Sequence, residues 1–161
     1  FAGGGAVQFV KEYKSAGIQV PLCGSGFLTE GVLGAQGAAA EGIETALHYG
    51  DNLDNARDKA FRKAFQDRTQ READVYAVQG YDAAQLLAVG IEAVKGNIED
   101  EANLYKAMRG AKIESPRGPI SMSASQEIVH NIYLRRAEGG LNKVVGIAAP
   151  ALADPGTGCK L

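Results

Sequence analysis

Several residue types that carry chemistry are scarce: the 161 residues include no tryptophan, two cysteines and two histidines. Two cysteines cannot build a disulfide framework, and neither Cys23 nor Cys159 has partners at metal-ligand spacing. Neither histidine, His48 nor His130, has a second one at i+4 or a nearby cysteine pair, which removes the common zinc patterns. An excess of one charge is missing too. Seventeen basic and nineteen acidic residues give a net charge of −2, mixed along the chain, so nucleic acid and anionic membrane are not expected partners. No apolar run approaches the ~20 residues of a bilayer span, and the sequence as it stands opens without a charged-then-apolar leader.

What remains is a folding composition. Hydrophobic residues make up 45% and charged residues 22%, which leaves little support for disorder or a coiled coil. Glycine is abundant, with 21 residues and no collagen period, so many tight turns between elements are expected, as in an α/β protein. The chain opens at Phe1-Ala2-Gly3-Gly4-Gly5 without methionine, like a strand running into a helix, and a segment upstream is expected. Cys23, in the apolar run from Val20, reads as a buried thiol. The alternative is a Cys23–Cys159 disulfide, which implies an oxidising compartment.

Helical spacing of Ala6, Phe9, Val10 and Tyr13 predicts a helix that ends at Gly17. Residues 18–23 read as a strand, Gly24-Ser25-Gly26 as its exit turn, and Thr29 to Gln36 as a short helix. A strand over 42–49 places Ile43, Thr45, Leu47 and Tyr49 on one face. Asp54 is the expected cap of a helix whose apolar stripe is Ala56, Ala60, Phe61, Ala64 and Phe65, opposite a solvated face of Arg57, Asp58, Lys63 and Asp67. A longer helix from about Val75 should bury Ala84, Leu87, Ala88, Ile91 and Val94. A short one carries Leu104, Ala107 and Met108. Past Ser115-Pro116-Arg117-Gly118-Pro119 the pattern turns to strands over 120–123, 128–135 and 143–149, with a loose tail from Pro150.

Glycine-rich turns that follow strands raise the question of a phosphate cradle. Both Gly24-Ser25-Gly26-Phe27-Leu28-Thr29 and Gly3-Gly4-Gly5-Ala6-Val7-Gln8 lack the third glycine of the dinucleotide fingerprint. Ser25 lacks the Gly-x-Ser-x-Gly elbow of a serine hydrolase. With no nucleophile–base pair, neither an enzyme nor a cofactor is expected. A binding module fits better, because it needs free amides at helix starts for an anion and aromatic faces for an apolar body. Gly3 to Gly5 and Ser25 to Phe27 offer the amides. Phe1, Phe27, Tyr49 and Tyr76 offer rings, and His48 lies near a strand's carboxyl end. The competing reading gives each glycine to a turn and each ring to the core.

The runs at 1–17, Gly-Ser-Gly-Phe-Leu at 24–28, Ala-Glu-Gly-Ile at 40–43, Tyr-Ala-Val-Gln-Gly-Tyr-Asp-Ala-Ala at 76–84 and Ser-Pro-Arg-Gly-Pro-Ile at 115–120 occur together and in order. As a set they resemble the C-terminal half of type I periplasmic solute-binding proteins, in the leucine/isoleucine/valine-binding branch that serves ABC importers. The resemblance implies an α/β fold of two Rossmann-like lobes with ligand in the cleft between them, present here as a C-terminal fragment. Residues 1–73 would belong to the C-terminal lobe, 74–125 to the N-terminal lobe, 126–149 to a return into the first, and 150–161 to a tail.

Carried over residue by residue, Ala2 stands where the amino-acid binders place a cleft tyrosine, Gly26 where they place a glutamate that pairs with the ligand ammonium, and Tyr76 where an aromatic packs on the ligand. A buried ammonium without its carboxylate costs several kcal/mol, so the expected ligand is a bulkier organic acid, an aromatic carboxylate first among them. The implied site is Phe1, Ala2, Gly3, Ser25, Gly26, Phe27, His48, Tyr49 and Tyr76, without metal or cofactor. Implied partners are the ligand, an ABC permease and the missing N-terminal segment of the same protein, in one chain or as a separate one, in the periplasm or lipid-anchored outside the cell. Alternatives are a branched-chain amino-acid or amide binder and the sensing domain of a regulator.

Overall fold

A computed structural model describes residues 1–158, and Cys159, with any disulfide it makes, lies outside them. In chain order the elements are helix α1 (Gly3–Ser15), strand β1 (Cys23–Ser25), helix α2 (Leu33–Gln36), strand β2 (Glu44–Leu47), helices α3 (Ala56–Thr69), α4 (Val75–Ala93) and α5 (Glu101–Arg109), and strands β3 (Ser121–Met122), β4 (Ile128–Glu138) and β5 (Leu141–Leu152). This is the α/β class that the sequence implies. The chain forms two compact units: Phe1–Asp54 with Ile132–Pro150, and Asn55–Asn131 with the chain from Ala151.

In the first unit, β1 and β2 run parallel, with Ser25 opposite Ala46, and β2 pairs antiparallel with β4, with Thr45 opposite Arg135. Ala6 and Val10 of α1 pack with Leu28, Leu33, Ala40, Ile43 and Ala137. Period-two alternation is obeyed along β2, where Ile43, Thr45, Leu47 and Tyr49 are all buried. The preceding strand is displaced from its expected place. Pro21 has no N–H to give to a ladder, Ile18 and Val20 are exposed, and pairing starts only at Cys23. Gly24 and Ser25 of the expected exit turn are thus strand, Gly26 opens a 3₁₀ turn over 26–28, and Cys23 is exposed rather than buried. The expected helix over 29–36 shrinks to the single turn of α2, because Gly31 holds φ at +69°, outside the helical region.

In the second unit Asn55, not Asp54, caps α3: its side-chain oxygen accepts from the Asp58 amide at 2.7 Å. Asp58 is buried rather than on the solvated face. Phe61 of α3 lies 4.9 Å from the Tyr81 ring of α4, centroid to centroid, so α3 groups with α4 and the break between units falls ahead of α3. Asp74 caps α4 by accepting from the Ala77 amide at 2.9 Å. The buried side of α4 is also different from the expected one. It holds Val75, Val78, Asp82 and Gly90, whereas Leu87 and Ile91 are 50% and 42% exposed. The reason is close packing at Gly90, where a Cβ would lie 2.7 Å from Met108 Cγ of α5. The turn after α5 is clamped by an ion pair of Arg117 with Asp82 at 2.7 Å, and β3 pairs antiparallel with the start of β4. Finally, β5 continues through Leu152, so the expected tail begins later than Pro150.

Candidate functional site

Parallel pairing of β1 and β2 brings their carboxyl ends side by side, the edge at which α/β sheets present ligand-binding loops. Ser25, exposed, ends β1, followed by buried Gly26 and half-buried Phe27. His48, half-buried, and Tyr49 follow β2. The start of α1 is tied to the same loops by Gln36, whose amide donates to the carbonyls of Leu28 at 2.8 Å and Ala6 at 3.3 Å.

Ala2 is the N-cap of α1 and has no side chain with which to cap it, so the first-turn amides are left for water or an anion. A Cβ at Gly3 or Gly4 would meet nothing within 4 Å, which leaves their backbone open to approach. Phe1 is 84% exposed and stacks on Phe9 with centroids 4.9 Å apart. Tyr49 is fully buried, so its ring fills the core of the first unit and only its neighbour His48 reaches the surface. Tyr76, in the first turn of α4, belongs to the second unit and is 54% exposed.

Gly26 is the most constrained of these positions. A Cβ there would lie 2.5 Å from Leu47 Cβ and 2.7 Å from Arg135 Nη2, well inside van der Waals contact. No side chain fits, so the glutamate that the resemblance sets at this position has no room.

Arg135 was not among the residues expected to matter. Its side chain is completely buried and paired with Glu30 at 2.6 Å. The signal was in the strand: Tyr133, Arg135 and Ala137 share the inward parity of β4, and an arginine with core parity must be partnered. Glu30, in the stretch over 29–36 that reads as a short helix, gave no such signal. In the second unit Arg117 Nη1 lies 3.3 Å from His130 Nδ1. Arginine can only donate, so Nδ1 accepts and the imidazole is neutral with its proton on Nε2. Burial, and then the Arg117 charge, hold the His130 pKa below its usual value.

With this geometry in place, comparison with known families is decisive: residues 1–141 match the family model described as "Periplasmic binding protein". The chain belongs to the periplasmic binding protein family. A Leu/Ile/Val-binding protein homolog 6 of Brucella abortus (strain 2308) is 37% identical over 138 residues, covering 79% of this chain and 34% of that protein. An ABC-transporter solute-binding protein of R. palustris, solved in complex with benzoate, is 49% identical with a TM-score of 0.95, covering 100% of this chain and 45% of that one. Another from Rhodopseudomonas palustris HaA2, solved with p-hydroxybenzoic acid, is 31% identical with a TM-score of 0.87 over 99% of this chain and 46% of that one. The chain thus spans about a third of the curated relative and under half of these solved structures.

Proposed function

We propose that this chain is part of an extracytoplasmic receptor that captures a small aromatic carboxylate and delivers it to an ABC permease. The observation that carries the reading is the likeness, over the whole chain, to a solute-binding protein solved with benzoate. Chemistry supports it from two sides. The open amides of Gly3 and Gly4 suit a carboxylate. The closed backbone at Gly26 leaves no acidic side chain there to hold an α-ammonium, and a buried ammonium without a partner is costly.

On this reading Phe1, Ala2, Gly3, Ser25, Phe27 and His48 of the first unit face ligand, that unit being the C-terminal lobe, and Tyr76 of the second unit is a ligand residue by the resemblance alone. Gly26 and Tyr49 serve it through their backbone. The rest of the N-terminal lobe is then a further partner. The exposed apolar side of α4 at Leu87 and Ile91 supports such a cover, since a single helix face seldom stays uncovered in a folded protein. Capture and release involve no covalent step, and the setting is the periplasm or the outer face of a membrane.

The name of the Brucella relative favours a second reading, a branched-chain amino-acid receptor. Calorimetric titration of the full-length protein with leucine and with a benzoate and hydroxycinnamate series separates the two. Saturable binding of an aromatic acid, with none for leucine, is expected. Tight leucine binding without response to the aromatic acids would overturn the assignment.

A further inference from the structure

We propose that Arg135 is a positioning residue for ligand capture, holding the exits of β1 and β2 in one fixed arrangement. The inference rests on the reading of those exits as ligand loops. A guanidinium has five N–H donors in a rigid fork, and five bonds use them here. Nε and Nη2 donate to Thr45 Oγ1 at 3.3 and 3.2 Å, Nη1 to Glu30 Oε2 at 2.6 Å and to the Tyr49 carbonyl at 3.1 Å, and Nη2 to the Gly26 carbonyl at 3.0 Å. One buried head group therefore joins the backbone just after β1 to the backbone just after β2.

The neutralising carboxylate is locked to the same loop, because the Glu30 amide donates to the Gly26 carbonyl at 3.0 Å. On the other flank Thr29 Oγ1 donates to Asn142 Oδ1 at 2.5 Å, and the Asn142 amide to Asp51 Oδ2 at 2.7 Å. The loops 26–30 and 49–51 are thus connected twice, once through Arg135 and once through Asn142. Glycine at position 50 keeps this connection tight, since a Cβ there would lie 3.3 Å from Arg135 Cδ and 2.5 Å from Val144 Cγ2.

A buried ion pair by itself adds little net stability over an apolar pair of similar volume. What an apolar pair cannot supply is five directed donors, three of them on the two loops and two on Thr45 of β2 between them. A lysine keeps the charge but has a single ammonium with no fork, so it cannot reach both carbonyls and Thr45 together.

The test uses full-length protein carrying Arg135→Lys and, because loss of the fork beside a buried carboxylate can unfold the chain, the doubly neutral variant Arg135→Met with Glu30→Gln. Native-state amide exchange is read at Thr29, Glu30 and Asp51 and compared with α1, and benzoate affinity is read by calorimetry below the unfolding transition. Faster exchange confined to those loops, with affinity about tenfold weaker in a variant whose α1 protection is unchanged, is the expected result. Unchanged loop exchange, or loosened loops with wild-type affinity, would overturn the inference. A wild-type protein that binds no aromatic acid would overturn the reading of the site instead, and the exchange measurement would still decide whether Arg135 sets the loops.

Discussion

Each unit buries an arginine–carboxylate pair, and the two are built differently. Arg135 and Glu30 in the first unit clasp backbone carbonyls of two loops. Arg117 and Asp82 in the second clasp side chains: Ser115 Oγ donates to Asp82 Oδ2 at 2.7 Å, and His130 takes the remaining arm of the arginine. The first pair uses every arginine donor, whereas the second leaves Asp82 Oδ1 buried without a hydrogen bond. A pair that organises backbone fixes the shape of a surface. A pair that organises side chains joins α4 to the turn before β3 and adds a titratable imidazole.

The largest effect should come from breaking the first pair. Arg135→Met leaves a buried carboxylate uncompensated and should lower stability by about 3–5 kcal/mol, read by urea unfolding, with much of the loss recovered when Glu30→Gln is added. Asp82→Asn should cost less, about 1.5–3 kcal/mol, because one carboxylate oxygen is already unpaired. Equal losses in the two variants would erase the distinction drawn between the pairs.

Backbone crowding sharpens the same contrast. Gly26→Ala drives a methyl group against Leu47 and Arg135 and should cost about 1–3 kcal/mol. Gly4→Ala, inside α1 with open space around it, should stabilise by about 0.5–1 kcal/mol. Thermal melts of the two variants are expected to move in opposite directions.

The smallest effect is that of pH. The folded pKa of His130 lies below 6.5, so the unfolded chain takes up the proton first as pH falls. The contribution is complete above the unfolded pKa and is lost as pH drops from there through the folded value. His130→Gln should flatten stability against pH in that window, read by urea unfolding at a series of pH values. An unchanged slope in His130→Gln would assign the pH dependence to other groups.

Much of the fold was legible because periodicity and glycine act locally. Alternation at Ile43, Thr45, Leu47 and Tyr49 placed β2, and the apolar spacing of Ala6 and Val10 placed α1. The failures have physical causes of other kinds. Pro21 shifted β1, and Gly31 cut short a helix that spacing alone would continue. The buried side of α4 was misassigned because a glycine, Gly90, makes the closest approach while larger side chains stay exposed. Near the candidate site, the end of β2 was readable from alternation, but the glycine runs were not turns: Gly3–Gly5 open α1 and Gly24–Ser25 are strand. Tyr49 was legible as an aromatic but not as a buried one. Arg135 could have been found from its parity on β4, yet its partners lie about a hundred residues earlier, and spacing carries no information over that distance.

The exposed thiol of Cys23 opens a practical route. It lies on β1, two residues before Ser25, on a strand whose far end carries the proposed ligand loop. With Cys159 replaced by serine, a solvatochromic dye attached at Cys23 would report on that loop by its emission colour, giving an optical readout for the proposed capture of an aromatic acid.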